Sequence, residues 1–223
     1  MITAVPELLD QLALGDSIVT LDAMGCQTAI AEKILARGGD YLLTLKGNHP
    51  LAHAAVVEHF DQHCFCRGAP HRADCDAFDD THGRLVRRRV FASTEAAALD
   101  ALSGWPGLRT VLAVESIRSV NNAPKVESEI RYFLSSCPDS PTVLGQAIRS
   151  HWAVENALHW VLDVTFREDD SRVRDRAAAR NLALLRKIAL NIVGCDKTTK
   201  ASVRARRKKA AWNDAYMLKL LAG

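Results

Sequence analysis

Two acidic residues stand at positions where the surrounding pattern predicts apolar side chains. Asp22 follows the apolar run in "IVTLDAMGC", which is typical of a buried strand, and Glu155 lies in the middle of an amphipathic helical face. A charged side chain at the end of a core element is costly unless a positive group contacts it. The two carboxylates therefore need an explanation, either as ligands of a cation or as local structural groups.

Carboxylate oxygens are ligands that suit Mg²⁺ or Mn²⁺. Ligand sites of open α/β sheets lie beyond the carboxyl ends of the strands, so Asp22 and Glu155 could meet at one edge of a sheet. A pair of carboxylates holding two such ions serves in-line phosphodiester chemistry. The spacing leaves an alternative open, in which Asp22 caps the next helix and Glu155 pairs with Arg149 or a nearby histidine.

The elements that must position these residues follow from hydrophobic periodicity and from helix start and stop signals. Strand, helix and strand within about 30 residues predict a parallel βαβ unit with a right-handed crossover. Ser140 and Pro141 begin the long helix that carries Glu155. The other expected elements are a first helix near Pro6, strands at 17–21 and 41–45, helices at 27–37 and 51–60, a loop at 61–83, and β-rich runs at 85–91, 110–117 and 126–134.

These elements predict an α/β protein in three parts. Residues 1–61 form a partial core with the βαβ unit, 62–136 form a β-rich insertion, and 137–223 form a helical region with a basic tail. The composition is that of a globular protein, since 48% of the 223 residues are hydrophobic and 25% are charged. No apolar run approaches the length of a membrane span, and we expect a cytoplasmic protein without a membrane partner.

Positive charge is concentrated near the C-terminus. Residues 172–209 contain 13 Lys or Arg residues against two Asp residues, although the net charge is only +3. This asymmetry favours a polyanionic partner such as nucleic acid, and the alternative is a solvated basic face. Phosphate contacts are expected from Arg204, Arg206, Arg207 and Lys208, from Lys46 and Asn48 after the second strand, and from Arg84.

A cysteine- and histidine-containing stretch raises the possibility of zinc. Thiolates and imidazoles suit that ion, but the spacing matches no established ligand pattern, and an exposed loop is the simpler interpretation. The residues concerned are His59, His63, Cys64, Cys66, His71 and Cys75.

The chain resembles the DDE transposases of bacterial insertion sequences, in the branch that includes the H-repeat-associated proteins. The matching runs, in order, are "ITAVPELLDQL", "IVTLDAMGCQTAIAEKI", "GGDYLLTLKGN", "HGR", "IRSHWAVENALHWVLDVTFREDDSR" and "ARNLALLRKIALNIV". The resemblance implies an RNase H-like, integrase-type fold with a β-rich insertion. It also implies cleavage and strand transfer of DNA at insertion-sequence ends with two Mg²⁺ ions, on which Asp22 and Glu155 are the second and third acidic ligands.

Residues around Glu155 match the family less closely. Arg149, His151 and Trp152 stand where related transposases keep basic and aromatic residues near the scissile DNA. His151 replaces the usual Arg four positions before Glu155, and Leu162 replaces the usual Lys seven positions after it. Phosphate contacts are therefore expected from Arg149 and His159.

The first Asp of the family has no counterpart before Asp22, since Asp10 falls in a helix and Asp16 in a turn. We therefore expect a truncated or decayed copy, or the downstream product of a split gene, that is inactive alone. Such a chain would depend on self-association or on a complementing N-terminal fragment. The alternative function is a non-catalytic DNA-binding remnant that occupies transposon ends.

Overall fold

The computed structural model describes residues 4–65, 73–81, 84–120 and 126–222. They form two compact units, Met1–His151 and Trp152–Gly223. In the part of the chain described here, no helix is long and apolar enough to cross a membrane.

The described residues of the first unit combine one sheet with three helices and most of a fourth, whose last turn crosses the boundary at His151. Short 3₁₀ turns at Ala23–Gly25, Glu95–Ala98 and Asp100–Leu102 lie in the segments between these elements. The elements in chain order are α1 (Ala4–Gln11), β1 (Ile18–Leu21), α2 (Thr28–Ala36), β2 (Asp40–Leu45), α3 (Pro50–His63), β3 (Cys75–Thr81), β4 (Arg84–Ser93), β5 (Thr110–Val120), β6 (Val126–Ser135) and α4 (Pro141–Val154).

The six strands form a mixed sheet in the order β1-β2-β6-β5-β4-β3. β1 and β2 are parallel, with Leu21 opposite Leu43, and α2 connects them. The predicted βαβ unit is therefore confirmed. All other neighbouring pairs are antiparallel, and β1 occupies one edge of the sheet.

The strands expected in a separate insertion continue the same sheet. β6 pairs with β2, with Leu43 opposite Leu134, so hydrogen bonding runs from the βαβ unit into β5, β4 and β3 without a break. The mixed α/β class is confirmed. The RNase H-like comparison and the three-part division at 61 and 136 stay predictions.

The expected loop at 61–83 is wrong in part, because α3 extends to His63 and β3 occupies Cys75–Thr81. β3 has the sequence CDAFDDT, which contains three aspartates and lacks an apolar alternation. It pairs along its whole length with the arginine-rich β4. Its stability as a strand thus depends on a partner that local sequence patterns do not reveal.

Helices cover both faces of the sheet, because successive strand residues point to opposite sides. On one face, Leu43 and Leu134 pack with α1, α2 and α3 around the fully buried Phe60. On the other face, Leu112 and Phe133 pack with Leu144 and Ile148 of α4. α4 therefore lies on the sheet face opposite α2 and α3.

The second unit is helical. π-helical segments at Glu155–His159 and Val161–Thr165 precede α5 (Arg176–Cys195), α6 (Val203–Trp212) and α7 (Asp214–Ala222). Asp175 and Ser202 cap α5 and α6 by accepting backbone hydrogen bonds at 2.8 and 3.2 Å. These are the side-chain types expected at helix N-termini.

Candidate metal and DNA-binding site

Asp22 lies at the carboxyl end of β1, as the sequence predicts, and is exposed. Its Oδ1 accepts hydrogen bonds from the backbone N–H groups of Met24 and Gly25 at 3.2 and 3.4 Å. The residue therefore caps the 3₁₀ turn that follows, whereas Gln27 flanks the start of α2, the next helix that the sequence analysis considered. A cap that uses one carboxylate oxygen is compatible with a further role for the other.

The segment after β2 supports the turn that carries Asp22. The Asn48 side-chain amide donates to the carbonyl oxygen of Ala23 at 2.8 Å, and His49 Nε2 lies 2.6 Å from the carbonyl oxygen of Cys26. The Thr44 hydroxyl donates to the last carbonyl of β1, that of Leu21, at 3.3 Å. The structure thus brings Asn48 beside the Asp22 turn, while its neighbour Lys46 is exposed on the same segment.

His151, in the last turn of α4, contacts β1. Its Nδ1 lies 3.0 Å from the Thr20 hydroxyl oxygen, and Thr20 stands two residues before Asp22 on the same strand. Thr20 stands on the sheet face covered by α4, opposite Leu42 of that face. The structure thus brings His151 into contact with the strand that ends before Asp22.

Glu155 begins the π-helical segment that directly follows α4. Its side chain lies outside the described part of the structure, and it belongs to the second unit. The convergence of Asp22 and Glu155 stays a prediction. Arg149, Trp152 and His159 are all exposed on the helical segments around Glu155.

The basic segment of α6 divides into exposed and internally bonded side chains. Arg204 and Lys208 are exposed and stand four residues apart, which places them on one helical face. Arg206 Nη1 instead donates to the carbonyl oxygens of Val193, at 2.9 Å, and Asp196. The Arg207 guanidinium lies 5.4 Å from the centre of the Phe166 ring. Contacts within the second unit thus engage two of the four cations that the sequence assigned to DNA.

A polar cluster next to Arg206 joins α7 to the end of α5. The Asp196 carboxylate accepts hydrogen bonds from the Thr198 hydroxyl and the Tyr216 hydroxyl, both at 2.6 Å. These bonds, with that of Thr198 first, hold the pKa of Asp196 well below its usual range. The cluster is a structural connection between helices in the second unit.

Arg84 begins β4 and lies opposite Thr81 in the register with β3. Its side chain lies outside the described part of the structure, so its predicted phosphate contact stays a prediction.

Comparison with known proteins identifies the family. The sequence model of the Transposase DDE domain matches residues 2–192. The chain belongs to the DDE transposase family. This family assignment confirms the resemblance drawn from the sequence motifs.

Three curated relatives extend the match to the H-repeat branch. YbfL and the H repeat-associated YhhI, both of Escherichia coli strain K12, are each 39% identical over 225 residues. These alignments cover 100% of this chain and 59% of each relative. YncI of Escherichia coli O157:H7 is 38% identical over 224 residues, covering 99% of this chain and 57% of the relative. The names of YhhI and YncI contain the word transposase. The chain thus spans somewhat under three fifths of the length of these relatives.

A divalent-ion site in a DDE transposase needs several oxygen ligands close together. Among residues 4–65, 73–81, 84–120 and 126–222, no group of three or more His, Cys, Asp or Glu side chains could hold a metal ion. Asp22 has the donor chemistry that Mg²⁺ prefers and an exposed position at a strand end. The described residues therefore fit one ligand position of such a site.

The histidines of the possible zinc stretch make other contacts. His59 and His63 stack with ring centres 4.4 Å apart, His59 Nε2 lies 3.0 Å from the Ser93 hydroxyl, and His63 Nδ1 lies 2.7 Å from the His59 carbonyl oxygen. Burial is the main cause that lowers the pKa of His59. Cys66 and His71 lie outside the described residues, and these contacts give no support to a zinc site.

Sequence reasoning missed Thr20 and Thr44. Both hydroxyl groups bond to elements around the Asp22 turn, Thr20 to α4 and Thr44 to β1. The available signal was a hydroxyl residue in each of two otherwise apolar strands, at the position two before Asp22 in one and two before Lys46 in the other.

Proposed function

We propose that this chain forms part of a transposase that cleaves and joins DNA at insertion-sequence ends. Its contribution would be Asp22 and Glu155, the second and third acidic residues of the catalytic set. The observation that carries the proposal is the exposed Asp22 carboxylate at the carboxyl end of a parallel strand, in a chain of the DDE transposase family. Ligands of open α/β sheets bind at such strand ends.

Asp22 and Glu155 would hold divalent ions, Mg²⁺ or Mn²⁺, with carboxylate oxygens. When bound, such ions activate the attacking oxygen and stabilise the leaving oxygen of a phosphodiester. The chain's own residues would fix the position of the Asp22 carboxylate. The backbone of the 3₁₀ turn holds its Oδ1, and the Asn48 amide and the Thr44 hydroxyl hold the backbone on either side.

We further propose that these 223 residues do not cleave DNA by themselves. Asp10 lies on α1 and pairs with Lys33 at 2.6 Å, and Asp16 lies in a turn with a φ of 57°. Neither stands at the end of a strand beside Asp22, so we expect neither to act as the first acidic ligand. The first acidic residue would come from a complementing polypeptide.

The second candidate function is a DNA-binding protein without catalysis. The capping role of Asp22 favours it, because this role accounts for the carboxylate without a metal ion. Exposed cations at Lys46, Arg149, Arg204 and Lys208 would serve either function.

A cleavage and binding assay on labelled insertion-sequence ends with Mg²⁺ separates the two functions. We expect the chain alone to bind without cleaving. We expect cleavage after addition of a polypeptide that carries the first acidic residue of the family, and its loss again with Asp22→Asn. Binding with no cleavage under any complementation would favour the non-catalytic function, and absence of DNA binding would refute both.

Glu155→Gln tests the third acidic residue separately. We expect it to abolish divalent-metal affinity, measured by titration calorimetry with Mn²⁺, without lowering the free energy of unfolding. Loss of stability with unchanged metal binding would mean that Glu155 is a structural residue.

A further inference from the structure

Arginines lie on both faces of the β4–β6 region. On the face that packs against α2 and α3, each described arginine of β4 has its own carboxylate. Arg87 donates to both oxygens of Asp76, with the shortest contact at 2.5 Å, and Arg89 Nε donates to Glu115 at 2.6 Å. These pairs lie across neighbouring strands and neutralise that face locally.

The face that packs against α4 has a surplus of cations around one carboxylate. Arg131 donates two hydrogen bonds to Glu129, at 2.8 and 2.9 Å, and Arg118 lies 3.9 Å from the same carboxylate. The hydrogen bond from Arg131, followed by the charges of Arg131, Arg118 and Lys46, lowers the pKa of Glu129. One carboxylate therefore faces three positive side chains.

A fourth cation lies on the same face. Arg88 of β4 stands opposite Ser116 of β5, which stands opposite Glu129 of β6. Directly opposed residues share a face, so Arg88 projects on the side of Glu129, away from its neighbour Arg87. We call Lys46, Arg88, Arg118 and Arg131 the cation row. The acidic register positions on the same face of β3 and β6 are Asp79, Glu127 and Glu129.

The cation row is continuous with the Asp22 turn. Lys46 directly follows β2, two residues after Thr44, whose hydroxyl bonds to the Leu21 carbonyl next to Asp22. Two residues after Lys46, Asn48 bonds to the carbonyl on the other side of Asp22. Lys46 thus lies between two residues whose side chains bond to the backbone on either side of Asp22.

We propose that the cation row binds the phosphate backbone of duplex DNA and guides it towards Asp22. Arginine guanidinium groups suit phosphate because their planar donors can bond two oxygens, and Glu129 holds Arg131 in a fixed orientation before DNA binds. Single-stranded DNA is the less suitable partner, because such sites stack bases on exposed aromatic rings. Phe78, an exposed aromatic residue of the sheet, lies opposite Arg87 on the other face.

This inference rests on the proposed function and is tested by the salt dependence of binding. The probe is a fluorescently labelled DNA duplex, with anisotropy titrations at several KCl concentrations. Removal of one phosphate-binding cation should reduce the magnitude of the log–log salt slope by about 0.9. We expect the double variant Arg88→Gln/Arg118→Gln to reduce it by about 2.

The matched control is the double variant Arg87→Gln/Lys33→Gln. It removes the same net charge, but Arg87 projects from the opposite face and Lys33 lies on α2, each paired with an aspartate. We expect its slope to equal that of the wild-type chain. Circular dichroism and the urea midpoint of each variant establish that it is folded before its slope is compared.

The outcomes distinguish a failure of the cation-row proposal from a failure of the proposed function. Equal slopes for the cation-row variant and the wild-type chain, or equal reductions in both double variants, would refute the surface while leaving DNA binding intact. Tighter binding to single strands than to duplexes of equal length would also refute it. Absence of salt-dependent binding by the wild-type chain would refute the proposed function together with the inference.

Discussion

Arg206 provides a direct test of how the basic C-terminal segment is used. Its Nη1 donates to the carbonyl oxygens of Val193 and Asp196, in the last turn of α5 and directly after it. The last carbonyls of a helix lack partners within the helix, and a cation there also interacts favourably with the helix dipole. Arg206 therefore caps α5 from α6.

The expected magnitude follows from these two bonds. A hydrogen bond to a charged group contributes about 1.5–3 kcal/mol, and the two bonds here share one nitrogen. We expect Arg206→Ala to lower the free energy of unfolding by about 2–3 kcal/mol. Arg204→Ala removes the same charge from the same helix at an exposed position, and we expect a change within about 0.5 kcal/mol.

Urea denaturation followed by circular dichroism measures both variants, and duplex-DNA titrations under folded conditions give their salt slopes. We expect Arg204→Ala to reduce the magnitude of the slope by about 0.9 and Arg206→Ala to leave it nearly unchanged. The reverse pattern, with an Arg206→Ala protein that keeps its stability but shows the smaller salt slope, would refute the capping argument.

Three further predictions concern the first unit. Asp22→Ala should lower the free energy of unfolding by about 1 kcal/mol through loss of the cap, whereas Asp22→Asn should keep the cap and lose only metal affinity; urea denaturation and Mn²⁺ titration distinguish them. Gly25→Ala should destabilise by about 1–3 kcal/mol, because the added Cβ would lie 2.9 Å from the Leu21 Cβ; Gly47→Ala, in open space, is the control in the same denaturation assay. Because burial places the folded-state pKa of His59 below its unfolded value of about 6.5, stability should fall as pH drops through that value, and His59→Gln should flatten the urea midpoint measured from pH 5 to 8.

The parallel part of the sheet could be predicted because its signals are local. β1 and β2 are apolar runs, and Gly38, with a φ of 77°, ends the intervening helix in the conformation that favours glycine. β3 could not be predicted in this way. Its aspartates resemble a loop in isolation, and only the register with β4 shows Asp76 bonded to Arg87.

Some features of the candidate site could also be predicted from the sequence, and others could not. A carboxylate at the end of an apolar strand is visible in the sequence, and the structure places Asp22 there. The contact between Thr20 and His151 joins residues 131 positions apart, so no periodicity or local motif identifies it. The same holds for Arg206, where sequence shows a basic run and only the fold shows the α5 carbonyls that the guanidinium bonds.

Two departures from the family pattern near Glu155 concern positive charge. The family resemblance implies an Arg before Glu155 and a Lys after it, and this chain has His151 and Leu162 instead. His151 Nδ1 lies 3.0 Å from the Thr20 hydroxyl oxygen, and Leu162 is 3% exposed. Neither position carries the arginine or lysine side chain that the family pattern implies. In the proposed function, the phosphates of the DNA substrate have to be neutralised. We expect Lys46 and the arginines around Glu129 to contribute positive charge for that purpose.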